Sequence, residues 1–416
     1  MNKVVLFLAC ASLTVSGAYA QKKLVDEVRK DVSALTTNVD TYKAAINKLK
    51  PAFTNPETKE NVETWMLGGD AGFGMYDKCY QAKAIGQGVD DVAAGKALLE
   101  GYDYYMAALP LDSVKEKEKD GSFKIDKKTG LPKVKTKYSK TIIDHVIGHL
   151  NDFLTVGNDL YNAKDWQNSA KAWGIFCDWA KSDAANAAKL ALADSTVAQV
   201  RFYQGCAYYA GENYKAAVKS FEQARALGYT QKEVYDYALA CLANLKDEDG
   251  IVALAGEAFK KCGDQDPQYI NILINNFINK KDYAQANKLL DEAIATNPNN
   301  ADIQNLKGII VEHESGIENA LPYFKKAVEL APESSKCLFD LGRYYYNQTI
   351  KIQQENANLS GKALSAKVKP YYEQALPYLE KAYKIDPQNT DAKVALRNIY
   401  YQLGDEAKLN EIENAN

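Results

Sequence analysis

His145 and His149 stand four residues apart in the stretch DHVIGH, a spacing that puts both rings on one face of a helix. Two imidazoles so placed would fill two positions around a zinc ion, with Asp144 or Asp152 nearby. The general-base glutamate of an H-E-x-x-H motif is missing, however, and no third ligand stands out. The expectation is therefore two helix-surface histidines and no metal; the remaining histidine, His313, is isolated. The run GGDAGFG at 68–74 has glycines at phosphate-loop spacing, but it lies in a helical pattern between Trp65 and Tyr76 and follows no strand. Close helix–helix packing explains it better. No G-x-S-x-G elbow, Cys-x-x-Cys pair or nucleophile–base set is present, so the sequence points to a protein that is not an enzyme and uses no cofactor.

Binding chemistry is better represented. In NILINNFINKKDY, Asn271, Asn275 and Asn279 fall four apart on one helix face, while Ile270, Leu273, Ile274 and Phe277 make the packed stripe. Asparagine amides both donate and accept, as an extended peptide backbone requires of its partner.

The helices that must carry such side chains announce themselves by repetition. Ala217, Phe221 and Ala224 recur as Ala286, Leu290, Ala293 and as Ala320, Phe324, Ala327. Four such patterns, ending at Cys262, Ala293, Ala327 and Ala382, stop shortly before a proline (Pro267, Pro298, Pro332 and Pro387) that cannot continue the helix. An upstream helix has its own signature: Gly205 and Tyr208, Leu306 and Gly308 before Val311, Leu341 and Gly342 before Tyr345. This pattern resembles the tetratricopeptide repeat, a 34-residue helix–turn–helix unit, most specifically over 198–231, 267–300 and 301–334. Weaker units fall near 150–183, 232–266 and 335–388, the last with an insertion near 347–367, inside an array spanning 141–388. Before the array come an N-terminal helical segment at 21–60, with one amphipathic helix over 24–50, and an irregular first unit at 61–112 opened by a long connection. Capping helices at 389–416 close the chain. The resemblance implies an all-α, right-handed α-solenoid whose units bury one continuous core.

The resemblance also implies that the first helix of each unit lines a concave groove. Carried onto this chain, that face comprises Asn158, Tyr161 and Asn162, then Phe202 and Tyr209, with the Asn271, Asn275 and Asn279 ladder. It continues through Asn305 and His313, then Arg343, Tyr346 and Asn347, then Asn398 and Tyr401. Tyrosine adds contact area with a polar tip, so the expected partner is another protein or an extended peptide. Sugars would suit the same lining, and a carbohydrate or small-ligand module of the cell envelope is the alternative. The carboxylate clamp known in some of these repeats is not reproduced, because Ile309 stands one repeat after Asn275.

Between the first and second units, at 113–140, lies a basic insertion with ten lysines against four acidic residues from Lys115 to Lys140. Phe123 and Ile125, then Asp126 to Gly130, then Leu131 and Val134 have the pattern of a short hairpin. The reading preferred is a solvated, partly mobile loop; the sharper one is a basic finger for an acidic partner or a membrane surface.

The net charge of −3 leaves no nucleic-acid footprint. Residues 1–20 read as a signal peptide: Lys3, an apolar run from Val4 to Leu13, and a cleavage site at Ala18-Tyr19-Ala20. That run is too short to span a bilayer, and no other long apolar stretch exists. A mature chain cleaved after Ala20 is expected in the periplasm, in a format similar to exported repeat proteins of Bacteroidetes-type bacteria. Six cysteines remain beyond the signal. Small buried thiols explain them as well as disulfides do, with Cys241 and Cys262 the pair that a disulfide would join.

Overall fold

The computed structural model describes residues 22–34, 37–127, 129–262, 267–359 and 361–414. The signal segment, Leu35 and Lys128 lie outside the described residues. The fold is all-α, built of paired helices, and the chain divides into two compact units at Lys246 and Asp247. No helix among the described residues is long and apolar enough to cross a membrane.

The first unit begins with α1 (22–33) and α2 (Val39–Leu49), where one amphipathic helix was expected. Asn38 makes the difference, since its side chain accepts from the Thr41 backbone N–H and starts a second helix. Next come α3 (Val62–Ala84) and α4 (Asp91–Leu111), at 23 and 21 residues longer than the repeat helices. The turn between them is short, so length in the helices replaces the expected long connection. A small sheet follows, and then α5 (Ser139–Gly148), α6 (Leu150–Asn162), α7 (Trp166–Trp179), α8 (Asp183–Ala187), α9 (Asp194–Ala210), α10 (Tyr214–Ala226) and α11 (Lys232–Leu245).

The second unit holds α12 (Glu248–Cys262), α13 (Pro267–Asn279), α14 (Tyr283–Thr296), α15 (Ala301–Ser315) and α16 (Leu321–Leu330). It ends with α17 (Ser335–Glu355), α18 (Gly361–Ile385), α19 (Thr390–Leu403) and α20 (Glu406–Asn414). The extra residues near 347–367 are themselves helical and lengthen both α17 and α18.

One contact recurs within the helix pairs. A glycine on the first helix receives a bulky side chain from the second: Gly157 receives Trp173, Gly205 receives Phe221, Gly308 receives Phe324 and Gly342 receives Leu379. A Cβ at Gly205 would sit 2.4 Å from Phe221, and one at Gly308 would sit 2.6 Å from Phe324. The alanines flanking these rings, Ala217, Ala224, Ala320 and Ala327, are fully buried. In α3 and α4 the same device is denser, with Gly69 under Tyr105 and the Gly72 and Gly101 backbones in direct contact.

The turn is equally regular inside four pairs, α6–α7, α9–α10, α13–α14 and α19–α20. Lys164, Glu212 and Lys281 adopt left-handed φ near +60°, as does Gly404 at +71°. Each is followed by Asp or Asn, whose N–H reaches back to Leu160, Tyr208, Phe277 or Tyr400 at 2.8–2.9 Å. That bond closes a Schellman turn on the first helix. The same Asp or Asn side chain then caps the second helix, as Asp165 does at Asn168, Asn213 at Ala216 and Asp282 at Gln285.

The 113–140 insertion is hydrogen-bonded rather than loose. Val114–Lys115 pairs antiparallel with Val134–Lys135, and bridges join Lys117 to Phe123 and Ile125 to Pro132. Three backbone bonds close a ring: Lys124 N–H to the Glu116 carbonyl, Glu116 N–H to Lys133, and Lys133 N–H to Lys124. At its base, the buried Asp112 carboxylate accepts from the N–H groups of Lys137, Tyr138 and Ser139 and from the Ser139 hydroxyl. Burial alone would raise the Asp112 pKa, but these donors outweigh it and hold the carboxyl below its ordinary value.

The two histidines do not share a free helix face. His149 sits at the break between α5 and α6, only 18 % exposed, and its ring meets Phe73 edge-on at 4.8 Å. Its Nε2 lies 2.9 Å from Asp77 Oδ1 and its Nδ1 2.8 Å from the His145 carbonyl. His145 Nδ1 instead meets the Tyr105 hydroxyl at 2.6 Å, and that hydroxyl donates to Asp70 at 2.6 Å. Each ring thus serves a different carboxylate, and no metal-binding group forms among the described residues.

Two predictions follow from this packing. Gly205→Ala should destabilise the fold by about 1–3 kcal/mol through overpacking against Phe221, whereas Gly88→Ala, in open space, should be neutral. Thermal unfolding followed by helicity checks both. Burial lowers the His149 pKa, but Asp77 and the His145 carbonyl outweigh it, so the folded value is raised. Its stabilisation is then fully present below about pH 6.5 and lost as pH rises through the raised value. Urea midpoints measured across that window should fall for the native chain and stay flat for His149→Gln.

Candidate functional site

A cavity of about 640 Å³ opens in the first unit, lined by side chains from four helices. Helix α6 supplies Asn158, Tyr161 and Asn162, and α7 supplies Trp173. Helix α9 adds Phe202, Tyr203 and Cys206, while α11 adds Glu233 and Tyr237. The aromatic wall is continuous: Tyr161 lies 5.6 Å from Trp173, Trp173 6.0 Å from Tyr203, and Phe202 6.1 Å from Tyr237, between ring centroids. The Trp173 indole sits over Gly157, and no described group accepts from its N–H, so shape rather than hydrogen bonding holds the ring. Gln199 fixes the Tyr203 hydroxyl by donating to it at 2.9 Å.

The lining is mixed in a way that favours recognition. Asn158 and Asn162 are exposed amides at one edge, and the Glu233 carboxylate stands at the other. Burial, with Cys241 nearby, pushes the Cys206 thiol up to about 12, as for a small apolar wall element.

A smaller cavity of about 250 Å³ lies in the second unit between α17 and α19. Phe339, Arg343, Tyr346 and Asn347 face Asp391, Val394, Ala395 and Asn398. Asn398 Nδ2 donates to the Tyr346 hydroxyl at 3.2 Å. Arg343 is already engaged, making two bonds to Glu312 at 2.9 and 3.2 Å and one to Asp340 at 3.3 Å. An anionic ligand would have to compete with both carboxylates.

Of the residues expected along the groove, Asn158, Tyr161, Asn162 and Phe202 thus converge on the first cavity, and Arg343, Tyr346, Asn347 and Asn398 on the second. The others do not join either. Tyr209 packs edge-on against Tyr214 and Tyr237. His313 stacks flat on Tyr283 at 5.5 Å. Tyr401 is 71 % exposed and lines neither cavity. Asn271, Asn275 and Asn279 lie along α13 outside both linings, with Asn275 and Asn279 exposed. Asn305 is a correction: it is fully buried, and its amide donates to Asp340 at 2.6 Å, because α15 packs that position against α17.

Trp173, Tyr203, Glu233 and Tyr237 are lining residues that sequence reasoning missed. Tyr203 and Tyr237 stand one 34-residue repeat apart, a signal that was present in the spacing. Trp173 carried none, since its position on a second helix reads as packing.

Two tetratricopeptide-repeat family models match this chain, over residues 273–348 and 372–408. The human protein O-mannosyl-transferase TMTC3 is 25 % identical over 126 residues, which is 30 % of this chain and 13 % of that protein. Among solved structures, YrrB, described as a TPR protein with an unusual peptide-binding site, is 17 % identical with a TM-score of 0.32, covering 48 % of this chain and 91 % of YrrB. A MamA fragment from Desulfovibrio magneticus RS-1 is also 17 % identical with a TM-score of 0.32, covering 46 % of this chain and 96 % of that fragment. With the paired helices and their Gly-to-ring contacts, the family matches establish that this chain contains tetratricopeptide repeats.

Proposed function

We propose that this protein is a non-enzymatic binding scaffold that takes an extended segment of another protein into the aromatic cavity of its first unit. The observation that carries the reading is the convergence of Asn158, Asn162, Trp173, Tyr203, Glu233 and Tyr237 from four helices on one opening. The amides would serve the peptide backbone, the rings would take an apolar or flat side chain, and Glu233 would favour a basic one. Tetratricopeptide repeats are consistent with such a role. The 13 % of TMTC3 that is matched does not carry a transferase activity to this chain. Lys3, the apolar run and Ala18-Tyr19-Ala20 support export to the periplasm as the place where this binding occurs. A Tyr- and Asn-lined cavity also suits an oligosaccharide, which remains the second reading.

Screening the mature chain against peptide and glycan arrays separates the two. Peptides should be retained, and Tyr203→Ser/Tyr237→Ser should weaken the best of them at least about tenfold, the loss of an aromatic anchor. Tyr401→Ser should bind as the native chain does. Retention of glycans alone would replace the first reading with the second.

A further inference from the structure

The insertion between α4 and α5 has two unlike faces. In antiparallel pairs, opposed residues point the same way, and residues two apart on a strand share a face. The pairs Lys117–Phe123, Ile125–Pro132 and Lys115–Val134 therefore place Lys115, Lys117, Phe123, Ile125, Pro132 and Val134 together. The ring of Phe123 confirms the grouping, with Lys115 and Lys117 ammoniums 5.3 and 5.9 Å from its centroid. Glu116 and Glu118 fall on the opposite face, where Glu116 pairs with Lys124 at 3.5 Å. One face thus carries apolar side chains and two lysines with no acid among them; the other carries Glu116 and Glu118 against Lys124, Lys133 and Lys135, with Val114 also exposed there.

Among the described residues, the first face is open to solvent. Phe123 is 46 % exposed, Ile125 51 % and Val134 45 %, an arrangement that soluble surfaces ordinarily avoid. Three apolar side chains flanked by lysines, whose stems can lie along apolar surface while their heads reach outward, match the boundary between headgroups and acyl chains. Charge complementarity then selects the lipid.

We propose that this face is a docking site for an anionic lipid surface, with Phe123, Ile125 and Val134 entering the headgroup boundary and Lys115 and Lys117 meeting lipid phosphates. The bond set at Asp112 mounts the element firmly on the ends of α4 and α5. Docking through it leaves the aromatic cavity's residues unused.

Vesicle flotation of the whole mature chain tests this. The native protein should float with phosphatidylcholine vesicles containing phosphatidylglycerol and not with phosphatidylcholine alone. Lys115→Glu/Lys117→Glu and Phe123→Ser/Ile125→Ser should each reduce flotation at least about tenfold, with helicity and cavity binding intact. Lys133→Glu/Lys135→Glu, an equal charge change on the other face, should have a smaller effect. Absence of flotation with anionic vesicles would overturn the proposal, as would equal losses from the two lysine pairs. Retention on immobilised acidic protein without flotation would also overturn it and assign the face to a protein partner.

Discussion

Four pairings of helices in the chain depend on how closely two backbones can approach. A glycine on one helix under a ring or a leucine on the next fixes that distance, because there is no other place for the larger side chain to go. Gly157 with Trp173, Gly205 with Phe221, Gly308 with Phe324 and Gly342 with Leu379 are four instances of one constraint. The fixed approach sets where the outer faces of the first helices stand, and hence which polar side chains border an opening. In the first unit it is Trp173, pressed onto Gly157, that forms the floor between Tyr161 and Tyr203. Packing and recognition there share one side chain.

The turns carry the second half of the specification. A left-handed residue followed by a capping Asp or Asn both ends one helix and starts the next, so the crossing of the pair is set within two residues. Lysine and glutamate tolerate the left-handed position at Lys164, Glu212 and Lys281, at some conformational expense. Glycine at Gly404 occupies it freely. The pairs joined this way thus agree in geometry even where their sequences do not.

What the sequence made legible was what repeats. The Ala-Phe-Ala triplets, the proline stops and the glycines gave the paired-helix fold, and eight of the groove positions inferred from the family do border cavities. The failures have local physical causes. Asn305 was placed on the groove because the resemblance puts that face of the first helix there, but α15 packs it against α17, where its amide donates to Asp340 in the interior. His149 ends a helix by bonding to the His145 carbonyl and to Asp77, a long-range partner that spacing cannot disclose. Tyr237 and Glu233 join the cavity only because α11 follows α10 at one particular crossing, which is a tertiary fact. In the insertion the hairpin from Phe123 to Val134 was legible in its apolar and glycine pattern, whereas the pairing of 114–117 with it, which closes the ring of backbone bonds, was not.

The Asp112 carboxylate has a consequence for how the chain accommodates change. Both ends of the 113–140 insertion meet at that single group, which ties the exit of α4 to the entry of α5 by three backbone N–H groups and a hydroxyl. Seen from the helices, the intervening residues are then a closed loop whose length matters only logarithmically to the entropy of closure. The insertion is therefore an exchangeable module: its tip can be lengthened, shortened or replaced by another recognition element while the helices beneath it keep their register.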